Sequence, residues 1–247
     1  MIARIIKESS IDYPGKFGPL IFTAGCNFKC GFCHNAQLNN VDEFLDEDEI
    51  LESIKVKVNS GWYNGVCITG GEPTLHKGLK DFLIKLKKMG LSVKLDSNGT
   101  NPKVLKELLE EGLVDYIAMD IKGPKELYSE ITNSDVKIKD IEESIKLISS
   151  LPTGGFEFRT TIPFLFKPYT RILNLKEAEE MIKWVSSLSL NKGKWNTQLF
   201  VARHKEDMND SRLCAQNLPK ELHKTPESYA EKIKKILEKN GFKSEVR

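Results

Sequence analysis

A chain of 247 residues with 37 Lys and Arg against 35 Asp and Glu carries a formal net charge of +2. So balanced a field excludes a nucleic-acid coat and a polybasic membrane binder, both of which depend on an excess of positive charge. A hydrophobic fraction of 40% and a charged fraction of 29% suit a globular chain of one or two domains, at about 150 residues each. No apolar run reaches the ~18 residues of a membrane-spanning helix, and Met1-Ile2-Ala3-Arg4 does not open a secretory signal, so a cytoplasmic location is expected.

In chain order, Pro19-Leu20-Ile21-Phe22 reads as a strand running into a loop rich in cysteine. Asp46 caps a helix that Gly61 ends, and Gly65-Val66-Cys67-Ile68-Thr69 is a second strand closed by Gly70-Gly71. Leu79, Phe82, Leu83 and Leu86 recur at i, i+3, i+4 and i+7, the apolar stripe of a helix that stops near Gly90. Val93-Lys94-Leu95 is the third strand; Asn101 then caps, and Pro102 opens, a helix carrying Val104, Leu105, Leu108 and Leu109. Strand four is Tyr116–Met119, followed by a helix over 139–150, strand five over 156–161, a helix over 176–187 and strand six over 197–201. Ile233, Ile236 and Leu237 lie at helical spacing near the end. That places an amphipathic helix with a solvated lysine face there, rather than a nucleic-acid tail.

Alternating strands and helices with short connections imply α/β architecture with parallel strands and right-handed crossovers. Six units fall short of the eight that close a TIM barrel, leaving a partial (β/α) barrel or a flat doubly wound sheet. The polar groups Thr69-Gly70-Gly71-Glu72, Asp96-Ser97-Asn98, Asp120-Ile121-Lys122 and Arg159-Thr160-Thr161 all fall at C-terminal strand ends. That edge carries the active site in parallel α/β folds. Polar residues also simply end strands, but four such ends in succession favour a site.

Three of the five cysteines, Cys26, Cys30 and Cys33, fall within eight residues at C-x3-C-x2-C spacing. An odd count with such clustering argues against a disulfide framework and for a metal or redox centre. A Cys3His zinc site would need His34, but a residue adjacent to Cys33 is poorly placed to close the same tetrahedron. A four-iron cluster normally takes four thiolates, so three would leave one iron open to a non-protein ligand. Cys67 reads as a buried strand residue and Cys214 falls in an irregular tail.

The cysteine loop, with Phe32 before its last cysteine, resembles that of the radical S-adenosylmethionine (radical SAM) superfamily, and Gly70-Gly71-Glu72-Pro73 at the next strand end strengthens the match. Ile11-Asp12-Tyr13-Pro14-Gly15-Lys16, Cys33-His34-Asn35, Leu95-Asp96-Ser97-Asn98-Gly99, Ala118-Met119-Asp120-Ile121-Lys122 and Glu157-Phe158-Arg159-Thr160-Thr161 narrow it further. Together they are similar to the activating proteins of anaerobic ribonucleoside-triphosphate reductase, within the glycyl-radical-enzyme activases. Ser97 stands where that family has Thr, keeping the hydroxyl. The resemblance runs from about residue 8 to 201 and implies a partial (β/α)6 TIM-like barrel of the radical SAM type. It implies a core domain over 1–203, followed by a C-terminal extension over 204–247.

It further implies that Cys26, Cys30 and Cys33 bind a [4Fe-4S] cluster whose fourth iron is chelated by S-adenosylmethionine. Reductive cleavage would then yield a 5′-deoxyadenosyl radical that takes hydrogen from a glycine of a partner enzyme, with flavodoxin or ferredoxin as electron donor. The implied cofactor-binding set is Phe32, His34, Gly70, Gly71, Glu72, Asp96, Ser97, Asn98, Asp120, Lys122 and Arg159. The glycines permit close backbone approach to the methionine amino group, with carbonyls and the nearby Glu72 carboxylate suited to an ammonium. Lys122 pairs with the methionine carboxylate, Asp96 and Asp120 bind ribose hydroxyls or a cation, Arg159 contacts ribose or carboxylate, and His34 makes a backbone or supporting contact. Rival readings are activation of another glycyl-radical enzyme, a small-molecule reaction of the 7-carboxy-7-deazaguanine synthase type, and a zinc-stabilised binding module without turnover.

Overall fold

The computed structural model describes residues 1–165, 171–201, 213, 217, 220 and 224–247. Cys214 and most of the expected extension between 204 and 223 lie outside the described residues. The chain divides into two compact units, Met1–Cys26 with Leu38–Ala118, and Asn27–Gln37 with Met119–Arg247.

The first unit contains β1 (Ile2–Ser9), β2 (Gly18–Thr23), α1 (Glu47–Asn59), β3 (Gly65–Gly70), α2 (Leu79–Lys88), β4 (Ser92–Ser97) and α3 (Pro102–Glu110), and enters β5 (Tyr116–Asp120). β2 and β3 run parallel with Leu20 opposite Cys67, and β3 and β4 run parallel with Cys67 opposite Lys94. All six residues of β2 are buried, which is why it reads as an unbroken apolar run rather than an alternation. β1, absent from the expected elements, pairs antiparallel with β2, Ile5 opposite Ile21. α1 starts as expected, with the Asp46 carboxylate accepting from Glu49 N at 2.9 Å. The α2 stripe of Leu79, Phe82, Leu83 and Leu86 is wholly buried. Asn101 occupies the N-cap position of α3 without capping it; its Nδ2 donates instead to Thr74 O at 3.1 Å, and Pro102 alone opens the helix.

The second unit takes the end of β5 and continues through α4 (Tyr128–Thr132), α5 (Ile138–Ser149), β6 (Phe156–Thr161), β7 (Phe164–Leu165), β8 (Arg171–Ile172), α6 (Leu175–Leu188), β9 (Lys194–Gln198) and α7 (Glu227–Lys239). β6 and β9 are parallel, with Arg159 opposite Asn196. The sixth strand thus lies three residues earlier than its apolar run suggests. Trp195 packs edge-on against Phe158 and Phe242, and Asn196 is buried because its Nδ2 donates to Glu157 Oε2 at 2.6 Å. α7 buries Ala230, Ile233 and Leu237, the expected amphipathic pattern. The chain end hydrogen-bonds along β9: Trp195 N donates to Lys243 O (2.8 Å) and Thr197 N to Glu245 O (3.0 Å). Backbone that would form an exposed sheet edge is thereby covered.

β2, β3, β4, β5, β6 and β9 supply the six β/α units of the expected partial barrel class. α6 begins with a full capping box. Glu177 N donates to Asn174 Oδ1 (3.0 Å), Asn174 N donates to Glu177 Oε2 (2.8 Å), and Arg171 clamps the same carboxylate with two nitrogens. Asn174→Ala is expected to lower stability by about 1 kcal/mol, read as a shifted urea midpoint with an unchanged slope.

Candidate active site

In the first unit the Gly-Gly-Glu turn sits on the backbone leading into the cysteine loop. Gly71 N donates to Thr23 O at 2.9 Å and Glu72 N to Gly25 O at 2.8 Å. Gly70 has φ +123°, and a Cβ added to Gly71 would stand 1.8 Å from Gly25 O. Both positions therefore demand glycine for reasons of chain packing, before any ligand is considered. Glu72 is 1% exposed. Its Oε1 accepts from Thr74 N (3.2 Å), Thr74 Oγ1 (2.6 Å) and Ser97 Oγ (2.9 Å), and its Oε2 accepts from Asn98 N at 2.6 Å. Burial pushes its carboxyl above the usual carboxylate range, against the pull of these four hydrogen bonds. The carboxylate expected near an ammonium group is thus engaged by protein donors and locks the ends of β3 and β4 together.

Ser97 and Asn98 complete this end of the unit. Asn98 Oδ1 accepts from Thr100 N and Thr100 Oγ1, and its Nδ2 stands 3.9 Å from Cys26 Sγ. Asp96 accepts from Lys94, a residue buried to 1% exposure.

In the second unit Cys30 and Cys33 share a tight turn, Cys33 N donating to Cys30 O at 3.1 Å. α4 holds this loop: Lys29 N donates to Thr132 O at 2.9 Å, and the Phe28 ring meets Tyr128 edge-on at 6.3 Å. Phe32 is buried among core residues, and His34 Nε2 lies 3.0 Å from Val201 O with its ring beside Phe200. Burial raises the Cys33 thiol pKa, while Asn35 N, 3.4 Å from its sulfur, and the Lys122 charge pull it down.

Asp120 stands between two cations. Its Oδ2 accepts from Lys122 Nζ at 2.8 Å and its Oδ1 from Arg159 Nε at 3.1 Å. Burial works against its ionisation, yet Lys122 and then Arg159 outweigh it and hold the carboxyl at about 2. Burial likewise disfavours the Lys122 ammonium, but Asp120 and the Cys30 sulfur more than offset it, so Lys122 stays charged. One carboxylate lies between two cations, and the Lys122 charge also bears on the Cys30 sulfur.

The donor chemistry fits an iron–sulfur centre: thiols on a glycine-bearing loop, with the Lys122 charge pulling against the burial that raises the Cys33 thiol. Among the described residues no three His, Cys, Asp or Glu side chains are arranged to hold a metal ion. The first unit brings together Gly70, Gly71, Glu72, Asp96, Ser97, Asn98 and Cys26; the second brings together Cys30, Cys33, Asp120, Lys122 and Arg159. Three partners escaped the sequence reading. Thr74 and Tyr128, whose hydroxyl accepts from Lys122 N at 3.3 Å, carry no motif. Lys94 carries a usable signal, a charge set between the buried Val93 and Leu95 of a short strand.

The Radical SAM superfamily model matches residues 20–186. The chain is 30% identical over 245 residues, 94% of each chain, to a Methanocaldococcus jannaschii protein provisionally named a glycyl-radical enzyme activating enzyme (MJ1227). It is 36% identical over 136 residues to the GTP 3′,8-cyclase of Helicobacter pylori, covering 51% of this chain and 41% of that one. The crystal structure of Streptococcus suis SuiB bound to S-adenosylmethionine superposes with a TM-score of 0.61 at 16% identity, over 92% of this chain and 49% of that one. At that identity the likeness speaks for the fold.

Proposed function

Because the chain belongs to the radical SAM superfamily, whose members pair a [4Fe-4S] cluster with S-adenosylmethionine, we propose that it activates a glycyl-radical enzyme, with anaerobic ribonucleoside-triphosphate reductase as the target. The observation that carries this reading is the end-to-end match, 94% of both chains, to a protein named as such an activating enzyme. The cyclase match stops at about half of the chain, 51%, and supports the shared chemistry rather than the shared substrate.

Cys26, Cys30 and Cys33 would hold the cluster. When bound, the cluster and S-adenosylmethionine would supply the chemistry for abstracting a hydrogen atom from a glycine Cα of the partner. The residues of this chain bind and orient. Lys122 and Arg159 offer the methionine carboxylate a bidentate cationic seat, and Asp120 fixes the spacing of the two. Backbone carbonyls at Gly70 and Gly71 receive the amino group, and Glu72 keeps that turn in place through Thr74, Ser97 and Asn98. Asp96 takes the ribose hydroxyls. Flavodoxin or ferredoxin supplies the electron.

The test mixes anaerobically reduced protein, S-adenosylmethionine and the candidate reductase, and records the electron paramagnetic resonance spectrum. A glycyl-radical doublet on the reductase is the expected result. 5′-Deoxyadenosine formation with no doublet on the reductase, but one on a formate-lyase-type enzyme, would move the target. Consumption of GTP would move the reaction class.

A further inference from the structure

Lys94 and Asp96 are two residues apart on β4, so both side chains leave the same face of the strand. Lys94 is 1% exposed, while its neighbours Val93 and Leu95 are 0% exposed. Its ammonium donates to Asp96 Oδ1 and lies 3.6 Å from the sulfur of Cys67, its register partner on β3. Cys67 Sγ stands 3.8 Å from the same Oδ1. The Asp96 side chain is 12% exposed against 2% for Lys94, so the pair runs from a sealed ammonium to a carboxylate that reaches the strand end beside Ser97 and Asn98.

A buried charge is costly unless paired, and an aliphatic residue would fill this place in the sheet without that cost. The charge therefore has a use at Asp96. We propose that Lys94 is a positioning residue for S-adenosylmethionine, holding Asp96 ionised and in one rotamer so that its carboxylate accepts from both ribose hydroxyls. Two vicinal O–H donors are best met by an ionised acceptor of fixed direction. The ammonium already balances the Asp96 charge. That weakens any pull on a second cation while leaving hydrogen-bond acceptance intact, and so favours the hydroxyls over a cation as the ligand. The inference rests on the superfamily reading and on the ribose role of Asp96.

The experiment measures equilibrium binding of S-adenosylmethionine and of its 2′,3′-dideoxy counterpart to the anaerobically reconstituted full chain. Wild type should prefer the hydroxylated ligand by about tenfold or more, the worth of one charge-assisted hydrogen bond. Lys94→Met and Asp96→Asn should each lose most of that preference, with affinity for the dideoxy ligand changed less than about twofold. The double variant should do no worse than either single, since both act through one carboxylate. Should Lys94→Met fail to fold, the double variant removes both charges and is compared with Asp96→Asn alone; a further loss of preference there overturns the proposal. It is also overturned if Lys94→Met weakens both ligands equally, or keeps the preference that Asp96→Asn loses. A wild type that binds both ligands alike overturns it through the ribose role of Asp96. A wild type that binds neither would instead strike the proposed S-adenosylmethionine contacts as a whole.

Discussion

Asp120→Asn is expected to destabilise the protein by about 3 kcal/mol, because it strips the shared counter-charge from Lys122 and Arg159. Their side chains are 16% and 14% exposed, so neither recovers full hydration when the carboxylate is gone. For a chain of this size the loss corresponds to a fall in melting temperature of roughly 6–12 °C. The pH dependence separates this cause from a general packing defect. Lys122 and Arg159 overcome the effect of burial and hold the native carboxyl at about 2, below the ~3.9 of an unperturbed aspartate. A group whose native pKa is depressed contributes its stability fully above the unfolded value and loses it as pH falls through the native one. The difference between wild type and Asp120→Asn should therefore be constant above about pH 5 and shrink between about pH 4 and pH 2. Denaturant titrations across that range decide the matter. An equal difference at pH 6 and pH 3 would mean that the carboxylate is not the source.

Gly71→Ala should have the larger effect, about 4 kcal/mol or more, because overpacking against backbone cannot be relieved by a rotamer change. The added Cβ would meet Gly25 O at 1.8 Å and Gly25 C at 2.5 Å, and Cys26 N lies only 3.2 Å away. Relief requires moving the start of the cysteine loop, so iron content of the reconstituted protein should fall together with stability. Gly154→Ala is the control: nothing lies within 4 Å of its added Cβ. Its stability should stay within about 0.5 kcal/mol of wild type. If the two variants unfold at the same denaturant concentration, the packing explanation for the glycine pair fails.

The β/α alternation was legible because each parallel strand is buried on both faces and each helix on one. Ile141, Ile145 and Ile148 of α5 show it as plainly as the α2 stripe does. What escaped depends on partners distant in the chain. β1 (Ile2–Ser9) has an irregular pattern, with Arg4 and Ile6 facing outwards, and is a strand because β2 offers it an edge. β9 begins before its apolar run because Asn196, a polar amide, sits inside the sheet only once Glu157 accepts its Nδ2. The chain end hydrogen-bonds to β9 through backbone groups, which no side-chain pattern advertises. In the site, the strand-end motifs were visible as charge and glycine at predictable places. Their division of labour was not, since only the structure reveals that Glu72 accepts from Thr74, Ser97 and Asn98 while Asp120 is shared by two cations. No helix among the described residues is long and apolar enough to cross a membrane.

A [4Fe-4S] cluster on Cys26, Cys30 and Cys33 that cleaves S-adenosylmethionine is tested by counting iron in anaerobically reconstituted protein and quantifying 5′-deoxyadenosine after addition of dithionite and S-adenosylmethionine. Wild type should hold about four irons per chain and form the product. Cys26→Ser, Cys30→Ser and Cys33→Ser should each lose both, and Cys214→Ser should keep both. Colourless protein carrying one zinc per chain, or product formation that survives Cys33→Ser, would rule the cluster out.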